Sequence, residues 1–411
     1  MLNKDFFASG SQSDLRQANL TTIMQRLHQQ PSLTRSNLAL LTGRNRATIT
    51  RLVSDLSDSG FVHEIGVESS GPGRPSIPLE INPDAGYIIG AEIGPDFCAV
   101  VLTNFVQHVL WRDKRAFAYG AHADSVLPQL IEVLQEAMSN IPNPKRPLYG
   151  ISIGVQGLVD TVENTLLFAP NLQWREVAIG DLLRVHFDVP IFVDNVASLS
   201  ALGETYFGAA SGLAYVLYIS TQYGIGGRLI LNNSVLRGAS GVAGELGHMT
   251  IDVNGKPCSC GKRGCWETVA SQKAALDHAR ELLASGTPSI IPEMLDGEYE
   301  NLTIRILVDA ADQDDTVAKT VFSTIGYYLG VGIANLINAL NPQRIVLGGE
   351  LSIGQHYLLP VIEDVIKDQA LQWSREASDI LIAKHGSDAT LMGAVAQVHR
   401  ETIHNLELWL S

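Results

Sequence analysis

Three cysteines and one histidine in the middle of the chain have the residue types and spacing of a metal site. Cys258, Cys260 and Cys265 lie within eight residues of one another, and His248 precedes them. Three thiolates and one imidazole form a closed tetrahedral donor set, the usual arrangement for a structural zinc ion with no position left for water. We therefore predict one structural zinc ion per chain, bound by these four residues. The alternative is that the cysteines are reduced thiols in a turn.

The composition is that of a modular globular protein. The chain has 411 residues, of which 45% are hydrophobic and 18% charged, which excludes a disordered or collagen-like chain and predicts two or three domains. No run approaches the roughly 20 apolar residues of a membrane span, and the first ten residues lack the pattern of a leader. We expect a cytoplasmic protein with no membrane contact. The remaining cysteine, Cys98, is predicted to be an inert buried thiol.

The net charge of −14 conceals a cationic segment near the N-terminus. Residues 1–85 contain eight Lys or Arg and eight Asp or Glu, so the rest of the chain carries the whole acidic excess. Residues 15–54 contain six arginines and no acidic residue. A cationic segment on an anionic protein favours a contact with nucleic acid, although an arginine-rich face is also commonly only solvated.

This segment has the pattern of a winged helix-turn-helix. Apolar residues at helical spacing predict a first helix around 20–27, a short second helix follows Thr34 as its N-cap, and a third is predicted from Asn45 to Ser59. Short strands at 61–64 and 76–81 enclose a Gly- and Pro-rich turn, which is typical of a wing. Three helices and a hairpin can equally form a protein-docking module.

The third helix is predicted to enter the major groove of double-stranded DNA. Four residues are predicted to face base edges: Arg44, Ala47, Thr48 and Arg51. Arg16, Arg35 and Arg46 are available to phosphates. Arg74, between glycines and prolines at the tip of the wing, is predicted to reach a neighbouring minor groove.

Beyond this module, strands and helices alternate, which indicates an α/β layer fold. The pattern restarts after residue 204, so two α/β lobes are expected. We predict a winged helix-turn-helix domain at 1–82, a first lobe at 83–200 and a second lobe at 201–411. The C-terminal helix is expected to return to the first lobe.

The motifs along the chain resemble those of the ROK family, named for repressors, open reading frames and sugar kinases. Matching segments cover most of the chain and lie at 90–94, 154–157, 170–172, 193–195, 202–204, 224–227 and 236–239. The most specific are the Gly-Glu-Leu-Gly-His segment at 244–248, the Cys258–Glu267 segment, and Asn341-Pro342 with Gly348-Gly349-Glu350. The resemblance implies that a two-lobed actin-like domain, of the ribonuclease H-like and hexokinase-like type, follows the DNA-binding module.

The resemblance also implies a sugar-binding site. The residues at the matching positions are Asn171, Asn195, Glu245, His248 and Glu267. Carboxylates and amides offer the paired hydrogen bonds that neighbouring sugar hydroxyls require. His248 would bind zinc through one ring nitrogen and a sugar hydroxyl through the other. Without the resemblance, Glu245 and Glu267 would be interpreted as surface or capping carboxylates.

The chain departs from the family's kinases where phosphoryl transfer needs specific groups. Their Asp-x-Gly-x-Thr segment, which holds ATP phosphates, is replaced by residues 92–96, which begin with Glu92 and end with Asp96. Counting back from Leu202-Gly203-Glu204, Val196 holds the place of their catalytic aspartate. Valine cannot accept a proton, so we predict that the protein is not an enzyme. The C6 hydroxyl of a hexose would also lose its partner, which makes a xylose-like pentose a candidate beside glucose-like hexoses.

These features predict a sugar-responsive transcriptional regulator, most simply a repressor of carbohydrate-utilisation genes. Sugar bound between the lobes would change the spacing of two recognition helices in a homodimer or higher oligomer. One alternative is a sugar kinase with an accessory DNA-binding domain, against which Val196 argues. The other is a regulator controlled by docking of another protein.

Overall fold

A computed structural model describes residues 12–66, 77–222, 224–239 and 241–410. The chain divides into two compact units. The first comprises residues 1–196 and 394–411, and the second comprises residues 197–393. The finer division into three domains, with boundaries at residues 82 and 200, stays a prediction.

The N-terminal part of the first unit is a winged helix-turn-helix. Its elements are α1 (Gln12–Gln29), β1 (Leu33–Thr34), α2 (Arg35–Thr42), α3 (Arg46–Asp58), β2 (Val62–Glu64) and β3 (Pro78–Ile81). The strands form an antiparallel sheet in the order β1-β3-β2. Helix α1 is longer than the predicted segment because polar residues extend it in both directions. The two-residue strand β1 was not predicted, since so short a strand has no periodicity to detect.

Local caps fix the turn between α2 and α3. Thr34 begins α2, because its side chain accepts a hydrogen bond from the Asn37 N–H while the Asn37 side chain accepts one from the Thr34 N–H. Gly43 ends α2 with a φ of +66°, a left-handed conformation that favours glycine. Asn45 begins α3 by accepting from the Thr48 N–H at 2.8 Å. These local caps therefore set the orientation of α3 relative to α2.

The first lobe is built on a five-stranded sheet in the order β11-β7-β4-β5-β6. Strands β4, β5 and β6 are antiparallel neighbours, and β7 and β11 add in parallel. A smaller sheet has the order β10-β9-β8. The elements are β4 (Tyr87–Ile93), β5 (Phe97–Asn104), β6 (Val109–Ala116), α4 (Ala123–Ser139), β7 (Leu148–Val155), β8 (Leu158–Asp160), β9 (Thr165–Ala169), β10 (Trp174–Val177), α5 (Ile179–Arg184) and β11 (Ile191–Asn195).

The second unit repeats this topology. Its sheet has the order β14-β13-β12-β15-β16, again with three antiparallel strands and two that add in parallel. The elements are α6 (Val196–Tyr206), β12 (Tyr215–Ser220), β13 (Gly226–Leu231), β14 (Ser234–Val235), α7 (Glu267–Ala270), α8 (Gln272–Ala284), α9 (Ile291–Met294), α10 (Ile304–Ala311), α11 (Thr316–Leu340), β15 (Arg344–Gly348), α12 (Gln355–Gln369), α13 (Gln372–Glu376) and β16 (Asp379–Ile382). Helix α14 (Ala389–His404) begins in this unit and continues into the first. The repeated strand order confirms the predicted two-lobed, actin-like fold.

Helix α11 is the central helix of the second unit. No membrane-spanning run is predicted from the sequence, but among the described residues α11 is the one helix long and apolar enough to cross a membrane. Of its apolar window, 61% is buried inside the protein. Gly326 and Gly330 allow α12 to approach closely, since a Cβ atom at these positions would lie 3.0 and 2.7 Å from the Cβ atoms of Val361 and Val365. Burial of this kind identifies α11 as a core helix.

Trp266 is inserted against α11 and anchors the loop that precedes α7. Its side chain is fully buried, and its Nε1 donates to the Tyr328 carbonyl oxygen at 2.7 Å. Gly332 provides the space, because a Cβ atom there would lie 2.1 Å from the indole ring. The indole therefore fixes its two chain neighbours, Cys265 and Glu267, relative to α11.

An aromatic cluster packs the winged module onto the first lobe within the first unit. The Phe61 ring centroid lies 5.5 Å from that of Phe105 and 5.7 Å from that of Tyr149. Trp409 stands edge-on to Tyr149 at 4.8 Å, and buried His399 lies 4.8 Å from Phe105. Loss of hydration, with repulsion from a neighbouring histidine, holds the pKa of His399 well below its usual value. The His399 ring is therefore neutral at pH 7 and packs as an aromatic residue.

We expect Gly332→Ala to destabilise the protein by about 1–3 kcal/mol, because overlap with Trp266 outweighs a helix-propensity gain of up to about 1 kcal/mol. Thermal unfolding measures this effect. Ser323→Ala is the matched control, because Ser323 is an exposed residue of the same helix. Equal melting midpoints for the two variants would contradict the tight packing around Trp266.

Candidate functional site

The four predicted metal ligands lie together in the second unit. Their ligand atoms are all within 4.8 Å of one another. The Cys258 Sγ is 3.6 Å from the His248 Nδ1, and the Cys260 Sγ is 3.6 Å from the Cys265 Sγ. Tetrahedral coordination with metal–sulfur bonds of about 2.3 Å separates the ligand atoms by about 3.8 Å. The donor set and its spacing therefore fit one metal ion.

Short backbone pairings shape the loop that carries these ligands. Thr250 pairs with Cys265, and Pro257 pairs with Arg263, in isolated β-bridges. Gly264 has a φ of +68°, and a Cβ atom there would lie 1.4 Å from the carbonyl oxygen of Asp252. Only glycine fits at this position. The loop thus has little regular structure of its own, and the ligands would be tied together by the metal.

Burial opposes ionisation of two of the three cysteines. Loss of hydration raises the pKa of Cys258 to about 12 and also raises the pKa of Cys265. Hydrogen bonding to the backbone of Lys262 lowers the pKa of the exposed Cys260. A divalent cation would compete with protons for these thiolates, so metal affinity falls as the pH falls.

Two of the predicted sugar-binding residues adjoin this cluster. The His248 Nδ1 faces Cys258, which leaves Nε2 as the nitrogen directed away from the thiols. The Glu267 Oε1 accepts from the Cys258 Sγ at 3.0 Å and lies 3.5 Å from the His248 Nδ1. The carboxylate of Glu267 therefore directly contacts the metal cluster, which the sequence did not predict. Glu245 is more open, with 59% of its side chain exposed.

Arg228 on β13 is a candidate residue that the sequence analysis missed. Its guanidinium is buried: Nε donates to the Ser198 Oγ at 2.8 Å, and Nη1 donates to the Gly227 carbonyl oxygen at 2.7 Å. The same Nη1 lies 3.8 Å from the Glu245 Oε1. Arg228 thus connects Glu245, a candidate sugar-binding residue, with Ser198 on α6. A charged residue directly after the glycines at 226–227, in an otherwise apolar strand, was the available signal.

In the first unit, Asn171 and Asn195 both contact the turn that follows β7. The Asn171 Nδ2 donates to the Gln156 Oε1 at 3.4 Å, and the Asn195 Nδ2 donates to the Gly157 carbonyl oxygen at 2.8 Å. Gly157 has a φ of +120°, and a Cβ atom there would lie 2.3 Å from the carbonyl oxygen of Phe168. The turn therefore requires glycine and places both amides at one end of the first-lobe sheet.

The position predicted to correspond to the family kinases' catalytic aspartate lies at the junction of β11 and α6. Val196 is the first residue of α6. Asp194, two residues earlier, is buried on β11, and its Oδ1 accepts from the Asn195 N–H at 2.7 Å. Ser198 is buried and bound by Arg228. In the other segment where the chain departs from the kinases, Asp96 is exposed in the turn between β4 and β5.

The candidate DNA-contacting residues of the helix-turn-helix lie at its surface. Four of them are exposed and Thr48 is half-buried: Arg44, Arg46, Ala47, Thr48 and Arg51. The opposite face of α3 is buried in the module, as the helical spacing predicted. Arg74 and the tip of the wing lie outside the described residues, so the minor-groove contact stays a prediction.

Two of the three arginines predicted to be available to phosphates are held by carboxylates. Arg35 pairs with Glu64 at 2.7 Å. Arg16 pairs with Asp55 at 2.8 Å and with Glu407 at 3.2 Å, and its pKa is raised, chiefly by the hydrogen bond to Asp55. The sequence could not reveal these pairs, because Glu407 is 391 residues from Arg16.

Comparison with known proteins places this site in a family. The ROK family model matches residues 88–401. The chain belongs to the ROK family. This ROK protein is 30% identical over 391 residues to the xylose repressor of Caldicellulosiruptor bescii, an alignment that covers 95% of this chain and 97% of the relative. It is 36% identical over 269 residues to the glucokinase of Halalkalibacterium halodurans, which covers 65% of this chain and 81% of the enzyme.

A solved structure of the ROK family has a fold similar to that of this chain. The crystal structure of a ROK family transcriptional regulator, a homologue of the Escherichia coli MLC protein, has a TM-score of 0.82 to this ROK protein at 28% identity. The alignment covers 97% of this chain and 100% of that one. Named regulators and a named kinase thus share the ROK domain, and the matches to the two regulators extend over nearly the whole chain.

We expect Cys265→Ser to lose the bound metal of this ROK protein, because three ligands hold an ion far less tightly than four and the ligand loop has little other support. Elemental analysis of the purified protein measures the metal content, with one ion per chain expected before substitution. Cys98→Ala is the matched control, because Cys98 is buried in a strand of the first lobe and belongs to no cluster. Retention of a full complement of metal by Cys265→Ser would contradict this assignment.

Proposed function

We propose that this ROK protein is a sugar-responsive, DNA-binding transcriptional repressor of carbohydrate-utilisation genes, acting in the cytoplasm. One observation carries the proposal: a winged helix-turn-helix with an exposed arginine face precedes a ROK domain in which Val196 takes the place of a catalytic aspartate. The relative named as a xylose repressor, which matches over nearly the whole chain, supports it. The match to a glucokinase keeps a kinase as the second candidate function.

The ROK domain would bind sugar without phosphorylating it. A general base must accept the proton of the attacking hydroxyl, and valine has no group that can do so. The carboxylates of Glu245 and Glu267 would accept hydrogen bonds from sugar hydroxyls, and the amides of Asn171 and Asn195 would both accept and donate them. His248 would bind a structural zinc ion through Nδ1, which faces Cys258, and present its Nε2 to the sugar. Zinc would supply structural support only, since four protein ligands complete its tetrahedral coordination.

The class of sugar that is bound would follow from Val196, which stands where the kinases have an aspartate. An apolar Val196 offers no hydrogen bond to an exocyclic hydroxyl, so a hexose would bury that hydroxyl without a partner at this point. A pentose in its ring form has no such group. A xylose-like sugar is therefore the proposed ligand, with glucose-like hexoses as the alternative.

DNA binding would combine base contacts with phosphate contacts. Arg44 and Arg51 would pair with guanine, Ala47 and Thr48 would contact thymine methyl groups, and Arg46 would bind phosphate. A homodimer would place two such helices on half-sites about one helical turn, or a multiple of it, apart. A sugar that binds the two arrangements with different affinity would shift the population between them.

Xylose is expected to raise the melting midpoint of the protein, because a ligand bound only by the native state stabilises it by about 2.7 kcal/mol at 100 times its dissociation constant. Glu245→Gln should weaken binding roughly tenfold or more, because a charged acceptor is lost. Glu363→Gln, at an exposed position of α12, is the control. A coupled ADP-release assay with the same sugars is expected to detect no turnover.

The outcomes of these sugar assays separate the candidates. Binding of a hexose without xylose would contradict the pentose assignment. Robust ATP-dependent turnover would establish a kinase. Stabilisation by no sugar would favour control by a docked protein.

For DNA, Arg51→Ala is expected to cost about 1–3 kcal/mol on a selected operator and to relax its sequence preference, because a bidentate base contact is lost. Arg46→Ala should instead weaken binding to all sequences alike and reduce the salt dependence by about one phosphate contact. Fluorescence anisotropy on an operator selected from a random library, and on a scrambled duplex, measures both effects. Identical losses of operator preference in the two variants would contradict the assigned roles.

A further inference from the structure

A buried arginine on β13 lies between helix α6 and the segment that carries Glu245. The Arg228 side chain is 9% exposed, and its Nε donates at 2.8 Å to the Oγ of Ser198, a residue that is 2% exposed. Its Nη1 donates to the Gly227 carbonyl oxygen at 2.7 Å and lies 3.8 Å from the Glu245 Oε1. One guanidinium therefore contacts both the first turn of α6 and a candidate sugar-binding residue.

Close backbone packing holds the guanidinium in this place. A Cβ atom at Gly244 would lie 2.9 Å from the Arg228 Nη1 and 2.1 Å from the Gly227 carbonyl oxygen, and Gly244 has a φ of +103°. Only glycine allows the two segments to approach so closely. The Gly227 N–H also donates to the Gly244 carbonyl oxygen at 3.0 Å. Since Glu245 directly follows Gly244, its main chain is fixed relative to Arg228.

The charge of Arg228 restricts a carboxylate that would otherwise be free in water. A guanidinium removed from water needs acceptors and a nearby negative charge, and Glu245 supplies a carboxylate at 3.8 Å. The Glu245 side chain is 59% exposed, so the attraction is partly screened, and a ligand can reach the carboxylate. A carboxylate that is oriented before the ligand arrives loses less conformational entropy when it binds.

The first turn of α6 is where the chain passes from the first unit to the second. The division falls between Val196 and Ala197, and Ser198 is the next residue. Strand β13 contacts this turn at a second point, because a Cβ atom at Gly226 would lie 3.5 Å from the Ala197 Cβ. A movement of the turn therefore displaces the hydroxyl that holds Arg228.

We propose that Arg228 is the positioning residue through which a sugar bound at Glu245 acts on the first turn of α6. The inference rests on the proposed sugar-responsive function and adds a route for the response. A sugar hydroxyl that donates to Glu245 fixes the carboxylate, the carboxylate attracts Arg228, and Arg228 holds Ser198. Sugar occupancy and the position of the turn are thereby linked in both directions.

Xylose binding, measured by calorimetry with glucose as the second sugar, tests the positioning of Glu245. Arg228→Gln is expected to weaken binding about three- to tenfold, because Glu245 loses its neighbouring charge. In the Glu245→Gln background, Arg228→Gln should cause no further loss. Arg228→Lys keeps the charge and should recover part of the affinity that Arg228→Gln loses.

The link to α6 is tested by the ratio of operator dissociation constants with and without saturating sugar. Ser198→Ala leaves Glu245 and Arg228 in place, so sugar affinity should stay within about twofold. The ratio should fall by about threefold or more, because the hydroxyl that connects Arg228 to α6 is lost. A substitution that only loosens the packing would not change this ratio.

Two matched controls verify that the effects belong to this contact. Ser200→Ala removes a buried hydroxyl of the same helix, which pairs with the Thr390 Oγ1 at 3.2 Å. Arg344→Gln removes an arginine of the same sheet, which pairs with Asp379 at 2.6 Å. Both variants should keep the sugar affinity and the ratio of the unsubstituted protein. Thermal melting verifies the folding of every variant.

The possible outcomes separate this inference from the proposed function. Undiminished sugar binding by Arg228→Gln, or an equal loss in the Glu245→Gln background, overturns the positioning of Glu245. An unchanged ratio in Ser198→Ala, or an equal fall in Ser200→Ala, overturns the link to α6. Failure of the unsubstituted protein to bind sugar, or to change its operator affinity when sugar binds, overturns the proposed function itself and this inference with it.

Discussion

The geometry of the candidate metal ligands and of Glu267 depends on one packing contact, the insertion of Trp266 against α11. The loop that carries the four metal ligands has only isolated bridges, so it cannot position itself through secondary structure. The indole is fully buried and hydrogen-bonded to Tyr328, and Gly332 leaves room for it. Because Cys265 and Glu267 flank Trp266, a single apolar anchor sets both a metal ligand and the carboxylate that contacts the cluster. The positions of Cys265 and Glu267 are thereby fixed relative to α11, the core helix of the second unit.

The winged module shows how local charge differs from charge that is available for binding. Its arginines give the first 85 residues a neutral balance on an acidic protein, yet not all of them are open to a partner. Arg16 and Arg35 are bound by carboxylates, whereas Arg26, Arg44, Arg46 and Arg51 are exposed. Three of these four exposed arginines lie on or directly before α3. The positive potential is thus concentrated at the helix whose caps fix its orientation, which favours specific docking over diffuse attraction.

Features that are encoded by neighbouring residues could be predicted from the sequence, and features that join distant residues could not. The starts of α2 and α3 followed from Thr34 and Asn45, because caps act within a few residues. The metal cluster followed from cysteine spacing, and the two lobes followed from alternating elements and the family motifs. The contact of Glu267 with Cys258 and the bond from Arg228 to Ser198 depend on how loops and strands pack, for which no periodicity exists. The Arg16–Glu407 pair spans nearly the whole chain and needed the fold itself.

Helix α14 is the element through which the chain passes from the second unit back into the first. Its first residues, 389–393, belong to the second unit, and the rest belongs to the first. Near its start, a Cβ atom at Gly393 would lie 1.8 Å from the Leu199 carbonyl oxygen of α6, so the two backbones are in direct contact and cannot slide without separating. Beyond its end, the chain meets α1 through exposed, exchangeable pairs. The part of α14 in the first unit is also buried, since Val398, His399 and Ile403 are at most 2% exposed. The chain is therefore held by packing along the whole of α14 and by accessible ion pairs in the turn that follows it.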